Sequence, residues 1–111
     1  MAGSKLVIVM GHTECGAVKH AIDNTNAAAM DMNALQSLLD EIKPSLANVS
    51  TDGEKSSKNA TYTNNVIIKN AKQTVEDIRK RSPIMSELEK KGEIKIISAI
   101  YDMASGDVKF L

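Results

Sequence analysis

Tryptophan is absent, and only three aromatic side chains (Tyr62, Tyr101 and Phe110) occur in 111 residues. The chain therefore has no stacking platform for single-stranded nucleic acid. Neither sign of charge is in surplus, with 14 Lys and Arg against 14 Asp and Glu. Such a balance gives no global field that would favour nucleic acid, an anionic membrane or an acidic substrate, so no nucleic-acid partner is expected. The longest apolar run, Leu6–Met10, falls far short of the roughly 20 residues of a membrane span, so no membrane partner is expected either. The single cysteine, Cys15, cannot form an internal disulfide, as suits a reducing compartment. No charged start followed by a long apolar stretch precedes Leu6. These features together predict a cytoplasmic location. A chain of this length buries roughly two-thirds of its unfolded surface, enough for one modest core.

Periodicity supplies the elements. Residues 5–10 read as a strand buried on both faces, because Leu6 to Met10 is continuously apolar and rich in β-branched residues. Gly11 gives the turn, and a helix follows from about Thr13 to Asp23. Asn24 to Met32 is a connection. Leu35, Leu38, Leu39, Ile42, Leu46 and Val49 recur at helical spacing, with Pro44 predicting a kink or restart. Residues 50–57 form a polar loop. Ile67, Ala71, Val75 and Ile78 mark a long helix over about 60–81, with the cations Arg79, Lys80 and Arg81 as a solvated last turn. Pro83 starts a short helix to about Lys90, and Gly92 caps it. Glu93 to Met103 reads as a second buried strand, Ser105-Gly106-Asp107 as a hairpin turn, and Val108 to Leu111 as a returning strand. Long helices between the main strands imply a right-handed crossover and a parallel pair. The scattered methionines, Met30, Met32, Met85 and Met103 among them, read as gap-filling core residues.

The chemistry-bearing feature is His12-Thr13-Glu14-Cys15-Gly16, placed directly after the first strand. Open α/β sheets bind ligands at the C-terminal ends of their strands. A thiolate and a neutral imidazole at this spacing are good zinc ligands. The competing reading is a buried thiol beside a histidine that caps the helix. His20 lies five residues past Cys15, roughly 140° around a helix axis, and reads as solvated surface. Glu14 can at most position the turn. A redox-active thiol is a weaker alternative, since no resolving cysteine is present.

The segment from Ala2 to Lys19, with its Gly11-His12-Thr13-Glu14-Cys15-Gly16 core, closely resembles the second metal-ligand segment of β-class carbonic anhydrases. Ile42-Lys43-Pro44, Ser82-Pro83-Ile84, Gly92-Glu93-Ile94-Lys95-Ile96, Ala99–Met103 and Ser105–Leu111 resemble the C-terminal half of that family. The resemblance implies an α/β fold, a truncated β-carbonic-anhydrase-like domain with parallel core strands, flanking helices and a C-terminal hairpin, and one such partial domain over residues 1–111. It also implies Zn2+ as cofactor, His12 and Cys15 as two of its ligands, and a lyase reaction, the reversible hydration of carbon dioxide to bicarbonate. Gly16 would either leave backbone N–H groups open to bicarbonate or simply let the helix approach the sheet. Asp102 would belong to a structural hairpin.

The resemblance also marks what is missing. Members of the family carry an earlier C-x-D-x-R segment that supplies a further zinc cysteine and an Asp–Arg pair orienting the zinc-bound hydroxide. With Cys15 as the only cysteine, this chain has no such segment. Impaired catalysis is therefore expected of the isolated chain. A truncated sheet exposes an edge and an apolar face, so a homo-oligomer or a complementary chain is the expected partner. The alternative is a non-catalytic assembly domain that uses the exposed sheet edge.

Overall fold

A computed structural model describes residue 3 and residues 5–111. Met1, Ala2 and Ser4, which open the predicted domain and include two residues of the resembling segment, lie outside the described residues. The elements run β1 (Leu6–His12), α1 (Gly16–Ile22), α2 (Asn33–Ile42), α3 (Ala60–Arg81), α4 (Pro83–Lys90), β2 (Lys95–Tyr101) and β3 (Val108–Phe110). The architecture is α/β with a mixed sheet, order β1-β2-β3. β1 pairs with β2 in parallel, from Leu6 opposite Lys95 to His12 opposite Tyr101, and β3 returns antiparallel from Phe110 opposite Ala99. The expected parallel pair and C-terminal hairpin are both present.

α3 is the central helix and packs on both β1 and β2. Its apolar stripe buries Val66, Ile67, Ala71 and Val75. α1 and α2 pack on one another, and α1 also packs on α3, so that Val18, Ala21, Leu39 and Ile42 join the same core. The helix is capped at its start by the Asn59 side chain, which accepts from the Tyr62 amide. Gly11 lets β1 lie close to this helix, since a Cβ there would fall 2.9 Å from both Ile67 Cγ2 and Ile100 Cδ1.

The kink predicted at Pro44 is a 3-10 turn, Lys43–Leu46, that follows α2. The proline sits at its start, where a missing N–H costs least. The hydroxyl of buried Ser45 donates to Asn70 Oδ1 at 3.0 Å, which fastens the turn to α3. The polar loop is tethered in a similar way. The Ser57 amide and hydroxyl both donate to Asp23 at the end of α1 and hold its carboxyl below its ordinary range.

Four readings of the sequence are corrected. The first helix starts at Gly16 rather than Thr13, because residues 13 and 14 form a turn with Glu14 at φ 59°. Arg79 is not a solvated helix end. Its guanidinium donates to Glu89 of α4 (Nε to Oε1, 2.7 Å; Nη2 to Oε2, 3.1 Å), to Glu76 and to the Ile96 carbonyl. Glu89 also accepts from the Ile96 amide, so one ion pair joins α3, α4 and β2. Met10, Met30, Met32 and Met103 are exposed rather than core-filling. Finally, β1 is not buried on both faces. Leu6, Ile8, Met10 and His12 alternate as exposed positions, because α3, the helix that packs on β1, covers only one side of it.

Candidate metal centre

The end of β1 becomes a tight turn held from two sides. The Thr13 amide donates to the Tyr101 carbonyl at 3.0 Å, extending the β1–β2 pairing by one residue. The Thr13 hydroxyl accepts from the Met103 amide at 2.9 Å. The chain can then reverse only through Glu14, whose left-handed backbone is a costly conformation for a residue with a Cβ. Its carboxylate pairs with Lys19 of α1 at 2.6 Å. Cys15 follows as the residue that caps α1, with extended backbone angles.

This turn brings His12 and Cys15 to one cavity of about 230 Å³, walled by Val9, Val18, Leu38 and Ile67, with Asn70 and Thr74 as its polar members. His12 Nδ1 lies 2.9 Å from the Thr13 carbonyl. A carbonyl only accepts, so this contact puts the proton on Nδ1 and leaves the Nε2 lone pair free. Metal-ligating histidines are commonly fixed through their second ring nitrogen in this manner. Cys15 is a half-buried free thiol.

The other sequence candidates are placed elsewhere. His20 is an exposed residue whose Nδ1 contacts the Thr25 hydroxyl at 3.0 Å. Gly16 opens α1, and a Cβ there would meet nothing within 4 Å, so packing does not require a glycine. Asp102 accepts from the Gly106 amide and, through its carboxylate, from Ala104, inside the terminal hairpin. Thr13 and Tyr101 were the positions that sequence reasoning passed over, and Glu14, expected at most to position the turn, does so through a left-handed backbone that was not foreseen. Thr13 had the signal of a hydroxyl directly after a strand end, but a glutamate carries no mark of positive φ, which Gly, Asn and Asp favour.

The donor set can be tested against a zinc ion. His12 and Cys15 both line the cavity, and an imidazole nitrogen and a thiolate are both good zinc donors. Among the described residues no three His, Cys, Asp or Glu side chains gather into a metal-holding group. Catalytic zinc takes three protein ligands and leaves one open position. The described residues therefore offer two donors of the kind a zinc site uses, and no grouped third.

The carbonic anhydrase family model matches residues 1–108, so the chain belongs to this family, and its fold is that of solved β-carbonic anhydrases. The β-carbonic anhydrase CcaA superimposes with a TM-score of 0.76 at 16% identity, covering 96% of this chain and 50% of CcaA. CafA of Aspergillus fumigatus gives a TM-score of 0.69 at 23% identity, covering 96% and 48%. Wild-type CafD of the same fungus gives 0.63 at 15%, covering 96% and 57%. The chain thus spans about half the length of the solved structures that it matches. No curated protein matches it significantly. Among the described residues, no helix is long and apolar enough to cross a membrane.

Proposed function

We propose that this chain is the His-x-x-Cys half of a β-carbonic-anhydrase-type zinc site, carried on a single partial domain and held in the cytoplasm. His12 Nε2 and Cys15 Sγ would supply two of the ligands. The remaining donor, and a group to orient the reactive water, would come from a second copy or a complementary chain. The observation that carries the reading is the shared cavity of His12 and Cys15, with His12 Nδ1 already engaged by the Thr13 carbonyl. When bound in a complete site, zinc lowers the pKa of its water towards 7 and so supplies hydroxide for carbon dioxide hydration.

This chain's own residues would do the preparatory work. Thr13 fixes the turn to the end of β2, Glu14 and Lys19 hold the reversal, and Val9, Val18 and Leu38 exclude water from one side of the donors. Gly16, whose backbone is exposed at the start of α1, is the candidate contact for bicarbonate. As an isolated half, the chain would bind zinc weakly and turn over carbon dioxide poorly or not at all. Metal analysis of the purified chain, run beside its mass in solution, tests this. Zinc retained only in an assembled form supports the reading. An assembled form that holds no zinc when zinc is supplied overturns it.

One observation favours a second reading. The outer edge of β1 has no strand beside it among the described residues, and its backbone donors and acceptors are free to pair. A non-catalytic domain that assembles through this edge needs no metal. Pairing that persists in chelator and in a Cys15→Ser variant, together with an absence of zinc, would select it.

A further inference from the structure

Strand β2 carries the segment of this chain that most invites pairing. Residues 94–101 (Ile-Lys-Ile-Ile-Ser-Ala-Ile-Tyr) hold four isoleucines and one charge, with no proline or glycine. Short segments of high β-propensity and low charge add strands readily wherever an edge is left open. One side of β2 is closed along its length by β1. The other side is paired with β3 only from Ala99 to Tyr101, and the Leu111 amide adds one bond to the Ser98 carbonyl.

The next outward-facing position on that side is Ile96. The Lys95 amide donates to the Lys5 carbonyl, on the β1 side, so the amide and carbonyl of Ile96 point the other way, in line with the Ser98 carbonyl. Neither is open. The amide donates to Glu89 Oε2 at 3.0 Å, and the carbonyl accepts from Arg79 Nη2 at 3.3 Å. In an antiparallel ladder a single residue of the neighbouring strand supplies both of these partners, one carbonyl and one amide. Here a carboxylate and a guanidinium supply them, joined to each other at 2.7 and 3.1 Å. A notch of about 310 Å³ lies beside the pair, with Arg79, Ile96, Ile97, Ser98 and Leu111 in its walls. There is room at this edge, but both backbone groups of Ile96 are taken.

We infer that the Arg79–Glu89 pair is an edge guard, which takes the Ile96 position of the β2 ladder as a strand would and so excludes an extended polypeptide from that edge. Two features separate this role from ordinary bracing of helices on a sheet. Both hydrogen bonds go to the same residue, one to its amide and one to its carbonyl, whereas bracing needs only one. Both side chains also remain partly exposed, Arg79 at 34% and Glu89 at 23%, so the contact lies at the rim of the sheet, where an incoming strand would arrive. None of these groups belongs to the metal centre, and the guard holds with or without zinc.

The test uses the full chain and a fluorescent peptide that copies residues 94–101, N-methylated at alternate residues so that only one of its edges can pair. By anisotropy, Glu89→Ala and Arg79→Ala should each bind the peptide about tenfold or more tightly than the unsubstituted protein, the worth of about two ladder hydrogen bonds. Val18→Ala, which loosens the core at α1 and away from this edge, should bind it no better than the unsubstituted protein. The open edge of β1 is common to all of these proteins, so binding there cannot produce the difference. Amide hydrogen exchange of the unsubstituted protein decides the matter if the variants fail to fold. The Ile96 amide should be protected well above the amides of the 50–57 loop and close to the Ile97 amide, which faces β1. Equal peptide binding by all the proteins, an equal gain in Val18→Ala, or an Ile96 amide that exchanges as fast as the loop would each overturn the inference.

Discussion

Arg79 on α3 and Glu89 on α4 form a two-pronged ion pair, and the same carboxylate accepts from the Ile96 amide at the start of β2. The Arg79 hydrogen bonds, followed by that from Ile96, hold the Glu89 carboxyl below its ordinary value of 4.5. A carboxyl whose folded-state value is lowered contributes stability above its unfolded value, and loses it as pH falls through the folded value. The fold should therefore weaken as pH drops below about 4.5, with Asp23, lowered chiefly by the Ser57 hydroxyl, adding to the same acid limb just below its ordinary 3.8. Glu89→Gln should lower the thermal midpoint at neutral pH and flatten the acid limb. Glu87→Gln, which removes an exposed partner 3.9 Å from Lys91, should change little, since pairs of that kind contribute at most about 1 kcal/mol. Thermal melts across pH 2–7 check both.

Gly11→Ala should destabilise by about 1–3 kcal/mol, the usual cost of forcing a methyl group into a packed site. The new Cβ would meet the Ile67 Cγ2, which a β-branched side chain on a helix cannot easily withdraw. Urea denaturation gives the value. A change within 0.5 kcal/mol, about the scatter of surface substitutions, would show that β1 can move off α3 freely.

Much of this arrangement was legible in the sequence. Ala60–Arg81 and Pro83–Lys90 could be bounded because the apolar spacing, the closing cations and Pro83 each had a local physical cause. The parallel pairing followed from the long helices between Met10 and Lys95. The start of α1 was not legible, because Thr13 is held by Tyr101 and Met103, some 90 residues away in the chain. Arg79 was misplaced for a similar reason. Nothing local distinguishes it from Lys80 and Arg81, and only the arrival of Glu89 across the α3–α4 turn does so. The double burial expected for Leu6–Met10 failed in this chain because the second cover is not among its described elements.

Zinc uptake, measured by metal analysis after dialysis against zinc, should depend on both proposed ligands. Cys15→Ser and His12→Ala should each reduce occupancy by about tenfold or more, because second-shell losses alone cost about 10–100-fold. His20→Ala should leave it unchanged, since that ring is engaged by Thr25 away from the cavity. Equal losses from the His12 and His20 variants would break the distinction drawn between the two histidines.

Thr13→Val should weaken the site's support without removing a donor. The Met103 amide would lose its hydroxyl partner in an exposed contact, at a cost of about 0.5–1.5 kcal/mol. Zinc occupancy should fall by less than in Cys15→Ser. A Thr13→Ser variant, which keeps the hydroxyl, should restore it.

The most direct test of the half-site account is stopped-flow hydration of carbon dioxide by the isolated chain in saturating zinc. With only His12 and Cys15 supplied by this chain, the rate should not rise above that of zinc in buffer. Turnover in the ordinary enzyme range of about 1–1,000 per second or faster would mean that this chain completes its own site, and would contradict the account.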